Sequence, residues 1–139
     1  MKRILFDVNV VLDVLLDRKP HAGCSGAVWA AVEAGIAEGL LSAHAVTTIH
    51  YLAQKDIGPA KSKEIVSTLL RVFGIAPIDS AVIREALQLP CTDFEDAVTA
   101  AAARRAGCDH IVTRDPKGFR GSPVRPLTPE MAIQILRAE

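Results

Sequence analysis

Aromatic residues are scarce in this chain of 139 residues, which has four Phe, one Trp and one Tyr. Its hydrophobic half must therefore build a core mostly from Ala, Val, Leu and Ile packed between helices and sheet, which favours an α/β fold. Cysteine is equally sparse. Cys24, Cys91 and Cys108 are odd in number and form no CxxC pair, which excludes a disulfide framework and points to free thiols in a reducing compartment. No uninterrupted apolar run approaches the ~18 residues a membrane helix needs. The opening MKRILFD reaches a charge at Asp7 before a signal peptide's apolar core could form. A cytoplasmic protein without a membrane partner is expected.

An excess of charge is also missing: Lys plus Arg and Asp plus Glu number 16 each. No global field announces a nucleic acid, and none excludes one. The local distribution says more. Between Arg104 and Arg125, the basic residues Arg104, Arg105, Arg114, Lys117, Arg120 and Arg125 face only Asp109 and Asp115, which predicts a positive rim.

Several motifs are absent. Without GxxxxGK[ST] or GxGxxG, a glycine-rich nucleotide loop has no support. No GxSxG elbow or reactive-cysteine signature is present, so Cys91 and Cys108 read as packing residues. His21, His44, His50 and His110 lack HExxH or CxxC context. His44 and His50, six apart, fall on different helix faces and read as surface or capping residues. Asp7-Val8-Asn9-Val10-Val11 is similar to the DxDx[TV] loop of haloacid-dehalogenase-type phosphatases, but Asn9 stands where the second Asp supplies the general acid.

The length suits one compact domain over 1–139. Short apolar stretches alternate with helical periodicity. The segments 3-RILF-6, 40-LLSA-43, 75-IAPI-78 and 110-HIVT-113 read as strands, with 124-VRPLT-128 as an edge strand. Asn9 is placed to cap a helix carrying Val10, Val11, Val14 and Leu15. A loop over 17–24 ends that helix, and the next spans Ala27 to Ala37 with Gly39 as its stop. Helices then follow over 44–55, 60–73, 80–89, 92–106 and 129–138. Asp13 and Asp17, four apart on the first helix, read as a solvated stripe. The pattern predicts a three-layer α/β/α sandwich around a parallel sheet of four to five strands. Ligands of such sheets sit beyond the carboxyl ends of the strands.

That edge is where carboxylates collect. Asp7 follows the first strand, and Asp115 lies two residues beyond Thr113, in a loop that Pro116 and Gly118 hold open. The stretch 92-TDFEDAVTAAAA-103 has the form of a capping box, with Thr92 as N-cap and Glu95 returning the bond. Asp93 and Asp96 share one face of its first turn. Bringing such groups within roughly 5 Å at an effective dielectric near 20 costs about 3 kcal/mol per pair, more than the ~0.3–1 kcal/mol a helix dipole returns to each acid. Either part of the cluster is protonated or a divalent cation sits in it. All-oxygen ligation points to Mg2+ or Mn2+, and such an ion suits attack of water on a phosphodiester.

LFDVNVVLD, DFEDA with its alanine-rich continuation, IVTRDPKGF and the closing PVRPLTPEM together resemble the PIN-domain ribonucleases, over Lys2 to about Met131. The resemblance implies a three-layer α/β/α fold and an acidic metal pocket that cleaves RNA. It also implies a tendency to dimerise and, in the VapBC toxin-antitoxin pairs, silencing by a small antitoxin protein. By position it implies Asp7, Asp96 and Asp115 as metal ligands, Asp93 as a further acid of the pocket, Asn9 bracing Asp7, and Thr113 beside Asp115. Arg114 and Lys117 are placed to grip the RNA backbone. One position departs from the pattern. Where the family carries a glutamate on the helix after the second strand, this chain has Thr48, and no acid occurs between Glu38 and Asp56. Two functions follow: a metal-dependent ribonuclease whose pocket Asp93 completes, or a catalytically silent PIN-like domain that binds RNA or protein.

Overall fold

The computed structural model describes residues 1–138. Among them are the strands β1 (Lys2–Phe6), β2 (Ala37–Ser42), β3 (Gly74–Ala76), β4 (His110–Val112) and β5 (Arg125–Leu127). The helices are α1 (Val8–Leu15), α2 (Ala22–Glu33), α3 (Ala43–Ile57), α4 (Pro59–Val72), α5 (Ser80–Gln88), α6 (Phe94–Arg105) and α7 (Pro129–Arg137). All ladders are parallel, in the order β3-β2-β1-β4-β5.

Strand alternation builds two cores, one on each face of the sheet. From β1, Ile4 and Phe6 enter the core beneath α1, α2, α3, α4 and α7, whereas Leu5 enters the other, against α5 and α6. Leu41 and Val112 side with Phe6, and Leu40 and Ile111 with Leu5. The few aromatics are concentrated: Phe73 packs edge-on against Phe6 at 4.9 Å and Trp29 at 5.0 Å. Gly39 permits this, since a Cβ there would lie 2.8 Å from the Phe73 ring. On the opposite face every residue of α6 from Ala97 to Ala103 is buried. Small side chains let this helix sit close to the sheet on one flank and α5 on the other.

The helices differ from expectation in places. Helix α2 begins at Ala22, through Gly23 and Gly26, and Gly35 at φ 76 follows its end. Gly39, expected to stop it, lies inside β2. Residues 116–119 wind into a 3-10 turn rather than an open loop. Among the described residues no helix is long and apolar enough to cross a membrane.

The larger correction concerns Asp13, which is fully buried rather than part of a solvated stripe. Its Oδ1 lies 3.0 Å from Arg18 Nε and its Oδ2 3.0 Å from Arg114 Nε, and Ser25 donates to Oδ2 at 3.4 Å. A buried carboxylate needs such partners. Asp17 is the exposed one, in the left-handed region at φ 48, which Asp tolerates better than most residues.

Candidate active site at the carboxyl edge of the sheet

Parallel strands bring their carboxyl ends to one edge, and α6, antiparallel to them, presents its N-terminus there. Asp7 ends β1 and is itself the N-cap of α1, its Oδ1 accepting from the Val8 N–H at 2.9 Å. The expected cap, Asn9, lies exposed in the first turn, where its side-chain oxygen and carbonyl accept from Arg18. Bracing of Asp7 therefore falls to Thr113. The Thr113 hydroxyl, buried after β4, donates to Asp7 Oδ2 at 2.9 Å and accepts the Asp115 N–H at 3.1 Å. One hydroxyl ties the first-strand acid to the backbone of the fourth-strand acid.

Asp93, not Thr92, caps α6, accepting the Asp96 N–H on Oδ1 at 3.1 Å. Glu95 thereby moves to the second helical position, and no capping box closes. Asp96 faces the 3-10 turn: a Cβ on Gly118 would stand 2.8 Å from Asp96 Oδ2 and 3.4 Å from Asp115 Oδ2. The two carboxylates thus flank a space that only glycine leaves empty. Asp115 precedes the 3-10 turn without spending its side chain as a cap.

The carboxylates at this edge are electrostatically perturbed. Burial first, then the charges of Asp7, Asp93, Glu95 and Asp115, push the Asp96 carboxyl up to about 6. Asp7 is also raised by burial, opposed by its bonds from Thr113 and Val8. Glu95 raises it further and His44 lowers it. Asp7, Asp93 and Asp115 thus all act on Asp96, and Glu95, expected to close a capping box, joins them.

Thr48 does not reach the cluster through any hydrogen bond: its hydroxyl donates to the His44 carbonyl at 3.3 Å, along its own helix. The first turn of α3 brings His44 instead, with Nε2 3.4 Å from Thr99 Oγ1 and Nδ1 buried without a partner. The signal for His44 was its place just past the end of β2, in the first turn of α3. Arg114, expected on substrate, has its Nε against Asp13, while Lys117 is exposed.

The donors suit a hard cation: two carboxylate oxygens flank the Gly118 space, and among the described residues no ion pair balances Asp7, Asp93, Asp96 or Asp115. Among the described residues, no three His, Cys, Asp or Glu side chains form a ready-made metal cage.

Comparison with known proteins places the chain. The PIN domain family profile matches residues 3–117. Ribonuclease VapC1 of Aquifex aeolicus (strain VF5) is 25% identical over 134 residues, covering 93% of this chain and 92% of that protein. Among solved structures, FitAB bound to an IR36 DNA fragment superposes with a TM-score of 0.71 at 21% identity, covering 91% of this chain and 94% of that one. DNA-bound VapBC from Salmonella typhimurium gives 0.69 at 15% identity, over 93% and 99%. These likenesses carry the fold, and the profile, spanning most of the sequence, carries the family: the chain belongs to the PIN domain family.

Proposed function

We propose that this protein is a divalent-metal-dependent ribonuclease and the toxin half of a toxin-antitoxin pair, acting as a homodimer that a small antitoxin protein silences. The observation that carries the chemistry is the Asp96 carboxyl, held up to about 6 by burial and four neighbouring acids beside the space that Gly118 leaves open. The relative named ribonuclease VapC1 and the superposable VapBC complex support the substrate class and the partner.

In this reading Asp7, Asp96 and Asp115 hold Mg2+ or Mn2+ directly or through water, and Asp93 completes the pocket. The bound ion supplies an activated water and neutralises charge on the phosphate oxygens. The protein's own part is positioning. Thr113 fixes Asp7 and the Asp115 backbone together, and the α6 N-terminus presents Asp96. Asp93 has Oδ2 left to orient the attacking water once Oδ1 is spent on the Asp96 N–H.

A second reading, the silent RNA-binding or protein-interaction domain, is favoured by Thr48 and by the lack of a ready-made cage. Cleavage of a mixed panel of labelled RNAs in manganese, magnesium or EDTA separates the two. The nuclease reading expects metal-dependent cleavage that Asp96→Asn abolishes, and a metal-induced rise in melting temperature that the same variant loses. Identical behaviour of wild type and variant in both assays would leave the silent domain.

A further inference from the structure

Of the six basic residues in the positive rim predicted over 104–125, the fold pairs three. Arg104 and Arg105 both pair with Glu85, and Arg114 with Asp13. Lys117, Arg120 and Arg125 have no ion-pair partner among the described residues, and all three are exposed. Two of these free cations line one groove of about 420 Å³, with Pro90, Thr92 and Gly121.

The groove is built rather than incidental. Phe119, buried at 2% exposure in the α6-side core, anchors the 3-10 turn. Lys117 and Arg120 stand on either side of that anchor, and the Arg120 N–H donates to the Lys117 carbonyl at 3.2 Å. Gly121, at φ 84, brings the turn against the opposite wall: a Cβ there would lie 2.4 Å from Pro90 Cγ. The Ser122 hydroxyl closes the turn by donating to the Val124 carbonyl and accepting its N–H.

Its position gives the groove a direction. Lys117 directly precedes Gly118, whose empty side faces Asp96 and Asp115, and Thr92 directly precedes Asp93. An acidic pocket repels a polyanion, so a nucleic acid reaching it needs cations beside the carboxylates but not neutralised by them. Lys117 and Arg120 meet that condition, since neither lies within ion-pair distance of Asp93 or Asp115.

We infer that the groove between Pro90–Thr92 and Lys117–Gly121 is a phosphodiester subsite that holds the RNA backbone next to the bond being cut. The inference rests on the ribonuclease reading and deepens it. It replaces Arg114 with Arg120 as the partner of Lys117. Arginine offers a forked contact to phosphate and lysine a point charge.

The test uses a fluorescein-labelled, mixed-sequence single-stranded RNA and fluorescence anisotropy across a salt series. Asp96→Asn serves as the common background, so that the RNA stays intact. Adding Lys117→Gln and Arg120→Gln is expected to weaken binding at least tenfold and to flatten the slope of log affinity against log salt by about 1.4, the value for two lost contacts to single-stranded phosphates. Arg125→Gln, outside the groove, should change the slope by less than half as much. Equal melting temperatures verify the fold of each variant.

Unchanged affinity and slope in the double variant, with cleavage intact when Asp96 is restored, would overturn the groove and leave the nuclease standing. If RNA binds neither background nor double variant, both readings fall. Unchanged RNA binding together with lost binding of polyglutamate would assign the groove to an acidic protein partner, which also overturns the proposal.

Discussion

Replacing Asp13 with Asn tests whether the buried carboxylate organises the structure around it. The substitution keeps the shape but leaves Arg18 and Arg114 without their shared counter-charge. Removing one member of a buried ion pair costs about 3–5 kcal/mol when the remaining charge is trapped. Two features lower that figure here. The arginine side chains are 36% and 30% exposed, so each can regain some water. Their Nε atoms also lie 3.0 Å from Asp13 without hydrogen-bond alignment. The expected loss is thus about 2–3 kcal/mol. With an unfolding entropy near 2.1 cal/mol/K per residue, a chain of this length should melt roughly 8 °C lower. Thermal unfolding followed by far-ultraviolet circular dichroism measures this directly, and repetition at high salt separates buried from surface pairing, since a buried pair is little screened. Asp17→Asn, on the exposed neighbour, should shift melting by less than about 2 °C. If Asp13→Asn and Asp17→Asn melt together, the buried triad contributes nothing and the reasoning fails.

Without added metal, the raised Asp96 carboxyl opposes folding at neutral pH. Its folded value of about 6 exceeds its ordinary 3.8, so the folded state takes up the proton first, and stability should rise as pH falls from 7 towards 4. After solvent screening of this half-buried group the gain is on the order of 1–2 kcal/mol. EDTA-treated wild type should show that rise in melting temperature and Asp96→Asn should lack most of it; parallel profiles would remove the electrostatic account. Gly118→Ala places a methyl group 2.8 Å from Asp96 Oδ2. It should cut RNA cleavage at least tenfold and weaken metal-induced stabilisation while the far-ultraviolet spectrum stays that of wild type. Unaltered cleavage would mean that the gap between the two acids has no catalytic use.

The architecture was legible because it rests on local periodicity. The stretches RILF, LLSA and HIVT are too short and too apolar for anything but buried strands, and their alternation with helices dictates a parallel sheet. That sheet sends Asp7 and Asp115 to one edge with no further information. What the sequence hid depends on one-residue shifts and on distant partners. Reading Thr92 rather than Asp93 as the cap of α6 moved Glu95 out of the pocket, although both residues can cap a helix. Asp13 looked like a surface acid although Arg18 is near in sequence, because its second counter-charge, Arg114, lies 101 positions away in the chain and only the fold brings it to the carboxylate. Arg104, Arg105 and Arg114 looked available for nucleic acid for the same reason, since their carboxylate partners are remote in sequence.

These distant pairs bear on how the site is held. Asp115 follows Arg114 and precedes the 3-10 turn, and each flank of this segment is fixed by a different contact. On the strand side, the Thr113 hydroxyl binds Asp7 and the Asp115 N–H while Arg114 reaches the buried Asp13. On the turn side, Phe119 is buried in the opposite core and Gly121 abuts Pro90. A carboxylate that must approach Asp96 against its charge cannot rely on a mobile loop, because repulsion would swing it outward into water. Anchoring both flanks supplies the restraint, and it also sets Lys117 and Arg120 at a fixed offset from the acids. The segment from Thr113 to Gly121 thus couples the proposed metal pocket to the proposed backbone subsite, so that a substitution loosening either anchor should disturb both.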